Sequence, residues 1–372
     1  MMDLELTPRQ DALRQQLKEL VTRHCPPAVA RELDERGRFP HEFFAQLESA
    51  GLCGLLVPAE HGGAGAGLPE LAIACEELAH ASAAIAVAYG TSALSGGWAP
   101  ARFGTAGQPR ALAAGGRYFA LAAPDEHGGT TAAAQCGENR YRLRATQLQV
   151  PGADAADQLL VVARSDAGER GGEGLSLFYV PRVSAGVRVT AVAQMGGRAV
   201  SLCEVDLDDV VVTPESLLGP LHRGGPILDQ LMDAYRLVVA AASVGLAQET
   251  FESALAHARQ PRNSGPPPAA RQAVQHALAA LHTRIEAARL LVYHAAWCAE
   301  SGSDASAQVG LAKGYATAAA NQAVEVGMRI AGPAANRLDC DMQRYFRDAR
   351  PLETLAGSPE ADKDRVAGSL GL

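Results

Sequence analysis

The sequence predicts an α+β fold of three consecutive parts: a helical N-terminal domain (residues 1–116), a middle β domain (117–222) and a C-terminal helical bundle (223–372). Three observations carry this. Apolar residues recur at helical spacing early in the chain, short strand-like runs occupy Tyr118 to Leu207, and helical spacing resumes after Gly225.

Taken in order, Thr7-Pro8 is an N-cap with proline at the first helical position, and Leu13, Leu17 and Val21 continue the period. A second helix is expected over His41 to Ala50. The glycine-rich Gly51-Leu52-Cys53-Gly54 and Gly62-Gly63 bracket a chain reversal. Glu70 to Ala88 reads as one buried, alanine-rich helix. Tyr118–Leu121, Leu159–Val162, Leu175–Val180 and Val187–Val189 are short β-rich runs separated by Gly and Asp, as in a small antiparallel barrel or sandwich. Beyond Gly225, Leu228, Met232, Tyr235, Val239 and Ala242 share one helical face. Val274, Leu278, Leu281, Ile285, Ala288 and Val292 share another, and Ala307 to Ala331 makes a third long helix. Pro266-Pro267-Pro268 forces an extended connector, and the residues after Ser358 read as a polar tail.

Composition bounds the function. With 372 residues and 48% hydrophobic content, the chain can bury a sizeable core. A formal net charge of −8 argues against nucleic acid or an anionic membrane as partner. Seven cysteines include no C-x-x-C pair, which argues against zinc or a redox disulfide, and the odd count fits a reducing cytoplasm. No stretch approaches the roughly 18 apolar residues of a membrane span. The expectation is a soluble cytoplasmic protein with no metal.

Specific motifs narrow this further. Tyr345-Phe346-Arg347-Asp348-Ala349-Arg350 closes the helical region, Gly51 to Gly63 carries a Gly-Leu-x-Gly-Leu-x-Val-Pro pattern, and Ala101-Arg102-Phe103-Gly104-Thr105 precedes the β region. Together with the helix–β–helix order, these make nearly the whole chain resemble the acyl-CoA dehydrogenase family. That resemblance implies a flavin that takes the β-hydride of an acyl thioester and a glutamate that takes the α-proton.

Residue by residue, the resemblance also shows departures. The family's base position falls on Ala356, and the second position used in some members falls on Tyr235, within Asp233-Ala234-Tyr235-Arg236. Glu353 and Glu360 flank Ala356 and read as solvated surface charges. The flavin-contacting loop becomes Ala122-Ala123-Pro124-Asp125-Glu126-His127. The strand behind the ring becomes Gln149-Val150-Pro151, which removes an aromatic wall and a backbone N–H. The pyrophosphate contacts fall on Pro261 and Ser264, and the adenylate cradle on Arg329 to Gly332. These positions lead to the expectation that FAD is not bound.

Replacement chemistry has two candidates. Tyr235 can donate a proton to an enolate or carbonyl oxygen, or simply fill space. His127 with Asp125 can form an acid–base pair, or belong to a solvated loop. Asp233 and Arg236 either contact the thioester ligand or form a structural ion pair. No G-x-S-x-G elbow supports a serine hydrolase.

Three readings follow: a flavin-free, non-redox step on an acyl thioester carried by CoA or a carrier protein; a non-catalytic subunit paired with an active homologue; or an FAD-dependent dehydrogenase with a relocated base. Each is compatible with a dimer or tetramer assembled through the C-terminal helices.

Overall fold

The computed structural model describes residues 5–108, 118–123, 131–135, 140–166, 174–261, 265–302 and 304–372. Among them no helix is long and apolar enough to cross a membrane.

Helix α1 (Pro8–His24) begins where Thr7-Pro8 predicts. The Gln10 amide donates to Thr7 Oγ1 at 3.3 Å and the Thr7 amide to Gln10 Oε1 at 3.0 Å, closing a capping box. Then follow α2 (Pro27–Arg36), α3 (His41–Ser49), α4 (Leu68–Ala79), α5 (Ala83–Ala93), a π-helical turn over Leu94–Trp98 and α6 (Ala99–Phe103). The stretch read as one helix from Glu70 to Ala88 is two, α4 and α5. Extended Ser82 separates them, and buried Arg344 fixes the corner by donating from Nη1 to the Ala81 carbonyl at 2.9 Å. Every residue of α5 except Ala84 is buried, so apolar content surrounds this helix instead of forming a stripe.

Among the described residues the β domain is a sheet of eight strands: β1 (Phe119–Ala122), β2 (Thr131–Gln135), β3 (Tyr141–Pro151), β4 (Gln158–Arg164), β5 (Leu175–Pro181), β6 (Val187–Val192), β7 (Leu202–Val212) and β8 (Leu217–Leu218). Its order is β6-β7-β3-β2-β4-β5-β8, with β1 also paired to β4. Most pairs are antiparallel as expected, but β1–β4 and β2–β4 are parallel. Strand β4 is buried from Leu159 to Ala163 on both faces, which explains its continuous apolar run. Strand β3 alternates instead, burying Leu143 and Ala145, then Leu148 and Val150. The phase slips at a bulge where Gln147 takes φ 53° and its amide donates to Asp206 Oδ1 at 2.9 Å.

Long helices α7 (Gly225–Arg259), α8 (Gln272–Glu300) and α9 (Ser306–Ala331) pack together, joined by α10 (Asp341–Thr354) and α11 (Pro359–Ser369). The proline run is extended at Pro267 before a short 3₁₀ turn, Pro268–Ala270. The expected polar tail is instead helix α11. Ser358 caps it by accepting from the Ala361 amide at 3.2 Å, Pro359 starts it, and Glu360 and Asp362 sit in its first turn.

Helix α10 ties the three parts of the chain together. Arg347 donates to both oxygens of Asp34 on α2, at 2.6 and 3.2 Å, and to the Met195 carbonyl beyond β6 at 3.0 Å. Asp348 accepts from the Gly197 amide at 2.7 Å. The chain at Gly196 lies so close that an added Cβ would stand 1.9 Å from the Arg347 carbonyl oxygen. Gly196→Ala is therefore expected to cost about 2 kcal/mol, because backbone faces backbone and no side chain can move aside. Urea unfolding measures this; a change under a few tenths of a kcal/mol would refute the contact.

Candidate active site

The turn joining α10 to α11 stands at the centre. Ala356 is buried and holds φ 61°, a left-handed conformation costing about 1 kcal/mol for a residue with a Cβ. Gly357 follows at φ 118°. Beneath the turn, fully buried Lys313 of α9 spends all three ammonium protons: on the Asp362 carboxylate at 2.7 Å, the Gly357 carbonyl at 2.8 Å and the Glu353 carbonyl at 3.3 Å. Burial pushes the Lys313 pKa down and Asp362 opposes that. The ion pair fixes the turn without placing a titratable side chain at 356.

Asp233 and Arg236 lie in the same network. Arg236 Nη1 donates to Asp233 Oδ1 at 2.9 Å, and Arg365 of α11 donates to that oxygen at 3.3 Å. Arg236 Nε faces Asp362 Oδ1 at 3.8 Å, and neither atom has a hydrogen-bond partner among the described residues. Burial raises the Asp233 pKa, against the lowering charges of Arg236 and Arg365. The side chains of Asp233 and Arg236 thus engage other protein groups. The Arg236 guanidinium also borders the turn, with Nη2 3.5 Å from a Cβ placed on Gly357.

Tyr235 points elsewhere. It is 8% exposed, and its hydroxyl bonds the side chain of Thr91 on α5, whose own hydroxyl donates to the Val87 carbonyl at 2.8 Å. Burial pushes the Tyr235 phenol up to about 12, so it stays protonated at neutral pH. Nearby, Ser92 Oγ accepts from the Phe119 amide at 3.0 Å, binding α5 to the start of β1. In the π-helical turn, the Ser95 carbonyl accepts from the Tyr179 hydroxyl at 2.6 Å, while Ser95 Oγ is buried without a partner among the described residues. A π-turn frequently marks a functional site. Thr91, Ser92 and Ser95 were missed from the sequence; the only available signal was three hydroxyls inside an otherwise apolar helix.

The remaining expected positions are scattered. Glu353 is half-buried, not freely solvated: its Oε1 accepts from Asn321 Nδ2 on α9 at 2.8 Å. Glu360 is exposed beside Lys363. Ala122 is fully buried at the end of β1, Gln149 is exposed on β3, and Pro151 pairs with Leu202 on β7. Pro261 and Arg329 are exposed. Gly332 takes φ 64°, with no heavy atom within 4 Å of an added Cβ. Asp125, His127 and Ser264 lie outside the described residues.

Two domain models match the chain: acyl-CoA dehydrogenase, N-terminal domain, over residues 7–115, and acyl-CoA dehydrogenase, C-terminal domain, over residues 222–371. The chain belongs to the acyl-CoA dehydrogenase family. It is 28% identical to a probable acyl-CoA dehydrogenase, YngJ, of Bacillus subtilis, across 99% of this chain and 100% of that protein. Butyryl-CoA dehydrogenase from Megasphaera elsdenii superposes with TM-score 0.93 at 25% identity, over 100% of both chains. The ChsE4-ChsE5 complex of Mycobacterium tuberculosis gives 0.88 at 26%, over 100% and 99%. An FAD-dependent dehydrogenase shares the fold at 0.89 and 22%, over 100% of both chains.

These findings overturn two expectations. A flavin-free, non-redox step has no support, because the family's relatives are named as dehydrogenases over their full length. The expected absence of a cofactor fails too, because the chain superposes at TM-score 0.94 and 26% identity, over 99% of both chains, on a structure described as an electron-transferring flavoprotein of Acidaminococcus fermentans. Joint departures at the ring wall, the pyrophosphate contact and the adenylate cradle do not by themselves remove a cofactor. A dinucleotide touches many groups, and backbone donors and packing do not appear in side-chain identity.

Proposed function

We propose that this protein is an FAD-dependent oxidoreductase acting at the Cα–Cβ bond of an acyl thioester, with Tyr235 handling the α-proton. The supporting observation is that Ala356 offers no acid or base at the turn, while the Tyr235 hydroxyl of α7 lies buried against Thr91 of α5. The positions that the family resemblance assigns to the FAD carry donors unlike the family's. Arg329 supplies an exposed positive charge, open Gly332 lets the backbone approach a phosphate, and Gln149 offers a side-chain amide. When bound, the flavin supplies the hydride chemistry at Cβ. The chain's own residues exclude water around Tyr235 and hold its phenol protonated, aligned by Thr91. A protonated phenol is a better donor to Cα than acceptor from it.

The test is the visible absorption spectrum after incubation with excess FAD and desalting. A stoichiometric flavin band is expected, and Tyr235→Phe is expected to keep the band while lowering thioester turnover by about 10²-fold. A protein that stays colourless would sink the proposal; a Tyr235→Phe variant of undiminished turnover would remove Tyr235 from it.

Ala356 also favours a second reading, in which the flavin site is completed by a partner chain, as the likeness to one component of the ChsE4-ChsE5 complex allows. Leu290 and Trp297 on α8, with Leu311 and Tyr315 on α9, are exposed apolar side chains suited to such an assembly. Size-exclusion chromatography with visible absorption should then give a species without flavin from the chain alone and a flavin band only with its partner.

A further inference from the structure

We propose that His80, Glu249 and Glu252 form a site for one divalent transition-metal ion of the zinc class, stapling α4 to α7. His80 directly follows α4, and Glu249 and Glu252 stand three residues apart on α7, on one helical face. One ligand atom from each lies within 4.8 Å of the other two. His80 Nδ1 and Glu249 Oε2 are 3.1 Å apart. That matches the edge of a coordination shell with bonds of about 2.0–2.2 Å. One imidazole with two carboxylates suits zinc and its neighbours better than calcium or magnesium, which prefer all-oxygen shells.

Groups behind the ligands orient them. Glu249 Oε1 accepts from the buried Tyr345 hydroxyl of α10 at 3.2 Å, which leaves Oε2 turned to His80. Glu252 Oε1 accepts from Gln248 Nε2 at 2.8 Å, and Gln248 Oε1 in turn from Arg289 of α8 at 3.2 Å. Such outer partners are what a held ligand set needs. Glu77 of α4 adds a third carboxylate facing His80, while Arg14 and Lys18 of α1 act on Glu77. Glu252 is exposed, so an ion has an entry path and water can complete its shell. Glu249 stands roughly 21 Å along α7 from Tyr235, so the site is separate from the proposed chemistry. No sequence motif announces it, because His80 and Glu249 are 169 residues apart.

Full-length protein, stripped with chelator and dialysed near neutral pH against Zn²⁺ alone, should retain about one equivalent by elemental analysis and melt at a higher temperature with zinc than without. His80→Ala and Glu252→Gln should each lose most of that zinc and the temperature shift. His276→Ala, which removes an exposed histidine elsewhere, should keep both. If His80→Ala fails to fold, exposed Glu252→Gln decides. Wild-type protein that retains no zinc overturns the proposal. So does equal retention by wild type and Glu252→Gln, which would indicate an adventitious ion only.

Discussion

Lys313→Met should destabilise the protein by about 3 kcal/mol, because Asp362, which is 2% exposed, loses its hydrogen-bonded cation and keeps the looser 3.8 Å ion pair with Arg236. The loss is expected to be local in origin. Lys313 alone links the Asp362 side chain to the carbonyls of Glu353 and Gly357, so the 355–358 turn loses its three-point anchor. The double variant Lys313→Met with Asp362→Leu removes both charges and should recover most of the stability. It should not restore the turn, since the two carbonyls still lack a donor. Urea unfolding of the three proteins gives the first comparison, and hydrogen exchange at Gly357 and Ser358 the second. A single variant within 1 kcal/mol of wild type would mean that water replaces the ammonium.

Arg347→Ala should cost a similar amount, about 3–5 kcal/mol, for a different reason. Asp34 is 4% exposed, and Arg347 bonds both of its oxygens while also holding the Met195 carbonyl. Removing the guanidinium leaves a buried carboxylate and parts α2 and the β6–β7 connection from α10. Arg347→Lys should recover little, since a single ammonium cannot span both carboxylate oxygens and the carbonyl. Thermal unfolding with both tryptophan fluorescence and circular dichroism is the measurement. Noncoincident transitions would show the parts separating; full rescue by lysine would refute the bidentate account.

What the sequence determined by itself was what periodicity and short-range chemistry record. Thr7-Pro8, the helical face of α8 and the buried run of β4 were legible, because each signal lies within a few residues of its cause; α7 is buried on all sides from Ala234 to Ala247, so the face expected there is not a stripe. Some local signals went unread: Ser358-Pro359-Glu360 announces α11 as plainly as Thr7-Pro8 announces α1. Strand β3 was hidden because its bulge at Gln147 shifts the burial phase between Ala145 and Leu148, and the alternation that identifies a strand breaks there. The division of α4 from α5 depends on Arg344, 263 residues away.

The candidate site was legible as positions and not as an arrangement. Ala356, Tyr235, Asp233 and Arg236 were each named from the chain, but only the fold shows that Arg236 faces Asp362 and shares Asp233 with Arg365, while Tyr235 turns to Thr91. Those partners come from α5 and α11, far along the chain, and a side chain's direction is set by the helix packed against it. Burial also decides protonation, and neither Lys313 nor Tyr235 carries in its identity the desolvation that moves its pKa. The sequence determined which groups the protein has; tertiary packing decided which of them meet, and in which charge state.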